Sequence, residues 1–134
     1  MTLKGSCLCN GIQYEISSAL KEVRNCHCTT CRKAHSAAFR TRASINKQDF
    51  KFLKGEELLT FYQSDPGTHR GFCKVCGSTI FSRFDHDQTQ LGFSLGTLDS
   101  DPGTMAEYHI FVSEKAAWFQ ITDGLPQYDE FPPK

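Results

Sequence analysis

The sequence predicts a mainly β fold of antiparallel strands with zinc knuckles and little helix, and three observations carry that expectation. Short runs alternate apolar and polar residues at period two, turn tripeptides separate those runs, and all seven cysteines fall in three tight groups. Gly11 to Ile16 sets Ile12, Tyr14 and Ile16 against Gln13 and Glu15, the pattern of a half-buried strand. Ala37 to Ile45 follows with a mixed alternation. Further strands are expected at Phe50 to Leu53, Leu58 to Gln63, His69 to Cys73, Thr79 to Arg83, Gln90 to Leu95, Tyr108 to Val112 and Ala117 to Phe119. Turns fall at Asp65-Pro66-Gly67, Asp101-Pro102-Gly103 and Asp123-Gly124, where a side chain that bonds nearby backbone precedes a residue tolerant of turn dihedrals. Thr29 to His35 can form two helical turns capped by Thr29 or Thr30, and Asn46 can cap one turn through Asp49.

A chain of 134 residues with 39% apolar side chains is long enough to bury its own core, and residues 1–134 read as one domain. Fifteen basic side chains balance fifteen acidic ones, so no global field draws the chain to nucleic acid or an anionic membrane. No apolar run has the length of a secretory signal or of a membrane span, which predicts a cytoplasmic protein with no membrane partner. In a reducing compartment, cysteines at short regular spacings serve metals more often than disulfides, and an odd number cannot pair completely.

The groups are Cys7-Leu8-Cys9, Cys26-His27-Cys28-Thr29-Thr30-Cys31 and Cys73-Lys74-Val75-Cys76. Cysteines one residue apart on an extended chain share a face, and cysteines two residues apart suit a knuckle turn. A closed structural zinc site needs four ligands, so the outer pairs combine as Cys7, Cys9, Cys73 and Cys76. The middle group supplies Cys26, Cys28 and Cys31 by itself. Three protein ligands leave a coordination position for an exchangeable group, the pattern of a catalytic zinc. Two zinc ions per chain are therefore expected, although tetrahedral thiolate sites accept iron as well. Zinc with three thiolates carries a net charge of minus one, and Arg32 and Lys33 directly after Cys31 can offset it or hold a substrate carboxylate; as a solvated basic pair they would do neither.

These segments resemble a known family. Gly5-Ser6-Cys7-Leu8-Cys9-Asn10-Gly11, Cys26 through Lys33, and Phe72-Cys73-Lys74-Val75-Cys76-Gly77-Ser78 are similar to the glutathione-dependent formaldehyde-activating enzymes and to the domain they share with centromere protein V. His109-Ile110-Phe111, Ala117-Trp118 and Asp123 to Tyr128 extend the likeness from about Gly5 to Tyr128. The resemblance implies an Mss4-like fold, with structural zinc on Cys7, Cys9, Cys73 and Cys76 and a second zinc on Cys26, Cys28 and Cys31. It also implies a carbon–sulfur lyase activity that joins glutathione reversibly to formaldehyde. A thiol such as glutathione and a small carbonyl are then the expected partners, with Cys26, Cys28 and Cys31 as the catalytic cysteines.

Around that site, His27 on an extended segment points away from the metal and is expected to pack or hydrogen-bond. His35, four residues after Cys31, stands at the rim or on the surface. His109 is expected in the core, in a hydrogen bond or at the pocket wall. Phe39 is the aromatic expected to wall the pocket, and core packing accounts for most other aromatics, Trp118 and Phe119 included. An alternative function is a zinc-ribbon-like module with both zincs structural, recognising protein or nucleic acid. Its support is the group Arg24, Arg32, Lys33, Arg40 and Arg42, which serves equally as a pocket for an acidic thiol. A thiol redox protein is a third reading, disfavoured because no cysteine stands apart from the groups.

Overall fold

The structure, a computed structural model, describes residues 2–133 and has ten strands and one α-helix, with single 3-10 turns between them. In chain order these are β1 (Leu3–Ser6), β2 (Gln13–Ile16), β3 (Lys21–Cys26), α1 (Thr29–His35), β4 (Arg40–Asn46), β5 (Phe50–Lys54), β6 (Leu59–Asp65), β7 (Thr68–Cys73), β8 (Thr79–Phe84), β9 (Gln90–Ser94) and β10 (Tyr108–Ile110). A three-stranded sheet runs β1-β2-β5 and a seven-stranded sheet runs β10-β3-β4-β9-β8-β7-β6. All pairings are antiparallel except that of β10 with β3.

The apolar alternation of β2 supplies the core. Tyr14 and Ile16, with Ile12 just before the strand, are wholly buried against Ile45, Leu91 and Phe93 of the large sheet. Tyr14 stacks on Phe50 at 5.0 Å and meets Phe93 edge-on at 5.6 Å, geometries that ring quadrupoles favour. Its hydroxyl lies 2.6 Å from Thr97 Oγ1, so its polar end is satisfied. Each fully buried side chain of this size contributes about 1.5–3 kcal/mol.

Register decides what the opposite face of the large sheet carries. Ala43 and Ile45 pair with Phe93 and Leu91 on the core side. The alternate residues face away: Cys26 opposite Arg40, Arg24 opposite Arg42, Arg42 opposite Ser94, and Arg70 opposite Ser82. That second face is polar and cationic, and it ends in a cysteine.

Eight of the nine expected strands and the helix at Thr29–His35 are present, as is a 3-10 turn at Lys47–Asp49. Residues 117–119 form a turn rather than a strand, and Trp118 is 72% exposed rather than in the core. β1 and β3 were not anticipated, because Leu3 to Ser6 offers only one strongly apolar position and Lys21 to Cys26 opens on charged residues. The helix is capped by Cys28 rather than by a threonine: Cys28 is extended, and its sulfur accepts the Cys31 amide at 3.3 Å. All three expected turns form, with Gly67, Gly103 and Gly124 at positive φ and the Asp101 and Asp123 carboxylates accepting amides two residues on.

Candidate metal centres and active site

The first cysteine group lies on a turn rather than on extended chain. The Asn10 amide donates to the Cys7 carbonyl, and Asn10 takes a φ of 64°. The turn still brings the sulfurs together, with Cys7 Sγ and Cys9 Sγ 3.6 Å apart and Cys9 Sγ 3.9 Å from Cys73 Sγ. Cys73 and Cys76 come from the β7–β8 turn, which closes through the Gly77 amide on the Cys73 carbonyl with Gly77 at a φ of 82°. Nothing lies within 4 Å of a Cβ built there, so dihedral freedom rather than space calls for glycine. The Leu8 amide donates to Ser78 Oγ at 3.0 Å and ties the two knuckles together.

The second group forms where β3 ends and α1 begins. Cys26 closes the strand, Cys28 caps the helix and Cys31 sits one turn along it. Within each group all sulfurs lie within 4.8 Å of one another, and none of the seven cysteines is in a disulfide. Two sulfurs also accept backbone amides, Ile12 N to Cys7 Sγ at 3.2 Å and Cys31 N to Cys28 Sγ at 3.3 Å. Clustered unpaired thiols with amide donors fit a thiophilic cation, so both groups can hold metal ions with a donor set that suits zinc. The partition expected from spacing, four sulfurs and three, is the partition in space.

The surroundings of the two groups differ. Around the group of three, hydrogen bonds from Cys26 and Cys28 and then the charges of Arg70 and Arg40 hold Cys31 far below the ordinary thiol range. The Arg70 Nη2 lies 3.6 Å from Cys31 Sγ and its Nε donates to Ser64 Oγ at 2.9 Å. Arg40 is 3% exposed and fully engaged, donating to Ser94 Oγ, Ser82 Oγ and the Gly92 carbonyl at 2.9, 3.1 and 2.7 Å. His35 is half-buried with its Nε2 unpartnered, and burial, followed by the charge of Arg40, lowers it to about 4.

His27 turns away from the sulfurs, as its place between two clustered cysteines requires, and is wholly buried. Its Nε2 lies 2.8 Å from His109 Nδ1, and His109 Nε2 lies 2.9 Å from Asp123 Oδ2. The His27 amide also donates to the Ile110 carbonyl, so β10 holds this segment by backbone and side chain together. Phe39 packs on His27 and Phe119 at 5.1 and 5.5 Å, and neither cavity that it lines is lined by any of the three cysteines. Arg32 leans back on Thr29 Oγ1 at 3.4 Å, whereas Lys33 lines a cavity together with Arg70. Arg24 and Arg40 are buried and cannot form a phosphate-binding surface with Arg32 and Lys33. Arg70 and Asp123 were not anticipated as site residues. The available signal for Arg70 was an arginine inside a strand that ends on a clustered cysteine; for Asp123 it was a turn residue, which reads as structural.

The chain matches the glutathione-dependent formaldehyde-activating enzyme family over residues 2–114, and it belongs to that family. A Halomonas elongata protein that carries the family's name is 28% identical over 130 residues, covering 90% of this chain and 82% of its own. An uncharacterised lyase of Schizosaccharomyces pombe is 31% identical over 78 residues, 58% of this chain and 55% of the other. A Rhodobacter sphaeroides crystal structure, 24% identical, superposes with a TM-score of 0.60 over 73% of this chain and 89% of its own, a likeness of fold. Among the described residues, no helix is long and apolar enough to cross a membrane.

Proposed function

We propose that this chain is a carbon–sulfur lyase-type enzyme that joins a small thiol, glutathione or a relative of it, to formaldehyde or a similar small carbonyl. Membership of the family and the lyase name of one relative support the reaction class. The observation that carries the reading is the three-sulfur group of Cys26, Cys28 and Cys31, beside two buried arginines and next to a cavity. Cys7, Cys9, Cys73 and Cys76 would hold a structural zinc that ties the β1–β2 turn to the β7–β8 turn. Cys26, Cys28 and Cys31 would hold the catalytic one.

Zinc held by three thiolates supplies a Lewis-acidic position that favours the thiolate form of an incoming thiol. The chain's own groups do the rest. Arg70 and Arg40 place positive charge beside the sulfur cluster, so a second anion approaches without prohibitive repulsion. In the forward direction the thiol sulfur forms a bond to the carbonyl carbon, the carbon–oxygen π bond opens, and the thiol proton ends on oxygen as a hydroxymethyl thioether. The reverse step returns the same proton and carbonyl.

The test uses zinc-loaded protein with glutathione and formaldehyde, following the hydroxymethyl adduct by NMR. Wild type is expected to accelerate adduct exchange, and Cys28→Ser to abolish that acceleration while losing one zinc per chain. A Cys28→Ser protein that still holds two zinc ions and still turns over would refute the assignment. A wild-type protein with two zinc ions and no formaldehyde-dependent change would remove the substrate pair.

A further inference from the structure

A cavity of about 380 Å³ lies between α1 and the β6–β7 hairpin, and its lining includes Thr29, Thr30, Lys33, Tyr62, Ser64 and Arg70. It carries two cationic side chains and no acidic one. Arg70 is only 8% exposed, and its Nη1 is buried without a hydrogen-bond partner. Among the described residues no carboxylate lies within ion-pair distance of Arg70; the carboxylates that meet a basic side chain do so at His69 and His109. A guanidinium cannot shed its charge at physiological pH, and a buried one is normally paired with an anion. The Cys31 sulfur meets one edge of this guanidinium; a second anion is what the remaining donor and Lys33 lack.

We propose that this cavity seats a carboxylate of the thiol substrate, with Arg70 and Lys33 as the residues that recognise it. The proposal rests on the reaction proposed above and names the class of thiol that the site selects. Arg70 touches Cys31 and lines the cavity at once, so a ligand bridging them needs both a sulfur and a carboxylate. Carboxylate-bearing thiols meet that requirement, and neutral thiols of the same length lack the anion. A guanidinium N–H and an ammonium form charge-assisted hydrogen bonds with a carboxylate, and two donors from different elements give both affinity and orientation. Orientation matters because the thiol sulfur must arrive beside Cys26, Cys28 and Cys31.

The test is calorimetric binding of 3-mercaptopropionate and of its uncharged amide to the zinc-loaded full-length chain. Wild type is expected to prefer the acid by about tenfold or more, the usual scale for a charged hydrogen bond. Arg70→Met should erase most of that preference, bringing the acid-to-amide ratio close to one, and Lys33→Ala should cut it by a few-fold, with affinity for the amide little changed in both. Zinc content is measured on each variant, because Arg70 also touches a ligand. If Arg70→Met loses metal, Lys33→Ala decides, and an unchanged acid-to-amide ratio there overturns the proposal. Equal binding of acid and amide by wild type overturns the carboxylate site and leaves the thiol reading standing. Binding of neither thiol overturns both.

Discussion

The Nε2 of His27 stands 2.8 Å from Nδ1 of His109, two buried imidazoles from positions 82 residues apart in the chain. The partner beyond His109 is the Asp123 carboxylate. Asp123 is held below the usual carboxylate range, first by the Leu125 amide and then by His109, so it accepts and His109 Nε2 donates. In the tautomer that carries its proton on Nε2, His109 accepts at Nδ1 and His27 Nε2 donates. The chain therefore runs from a partly exposed carboxylate to the residue between Cys26 and Cys28. Replacing His109 by Leu would strand the His27 donor in the core. We expect a loss of about 2–3 kcal/mol in urea unfolding and a roughly 10- to 100-fold weaker three-cysteine metal site. A chelator competition assay reads the second effect, with the four-cysteine site as an unchanged internal reference.

The two metal groups should respond differently to removal of a ligand. Cys28→Ser keeps a side chain able to cap α1, so the helix is expected to survive while zinc falls by about one equivalent. Cys73→Ser removes a buried cysteine of the group that joins distant turns, and a loss of several kcal/mol with poor soluble yield is expected. Zinc per chain and thermal melting of the two variants separate these outcomes.

Tyr14 governs behaviour at high pH. Burial, outweighing its hydrogen bond to Thr97, pushes its hydroxyl well above the ordinary tyrosine range. A group raised in the folded state contributes stability that is complete below its unfolded pKa of about 10 and is lost as pH climbs beyond it. Tyr14→Phe should cost about 1 kcal/mol at neutral pH through the lost Thr97 bond. It should also flatten the decline of stability above about pH 10. Denaturant midpoints measured from pH 8 to 11 would show an unchanged alkaline decline if Tyr14 is not its source.

Arg40 holds three strands at once through Ser94, Ser82 and the Gly92 carbonyl. Arg40→Ala leaves those acceptors unpaired beside Arg70 and Cys31, and about 3 kcal/mol or more is expected to be lost. Arg40→Lys keeps the charge but cannot reproduce the planar fork, so about half of the loss should remain. Equilibrium unfolding of the pair measures the difference; equal stability of Lys and Arg would show that charge alone matters there.

What the sequence alone determined was local. Cysteine spacing within each group, the Asp-Pro-Gly and Asp-Gly turns, the helix at Thr29–His35 and the alternation of β2 all follow from a few adjacent residues, whose sterics and hydrogen bonds operate without the rest of the chain. The division of seven sulfurs into four and three was legible for the same reason, since a middle group of three needs no distant partner. Tertiary structure alone decided which residues attend that group. Arg70 meets Cys31 across 39 residues because β7 lies three strands from β4 in the sheet, with a register that turns Arg70 and Cys26 to the same face. His109 reaches His27 because β10 joins β3 in parallel, a pairing that no local pattern encodes. Strand order and register are cooperative properties of the whole core, and a shift of one residue would have sent those arginines to the apolar side.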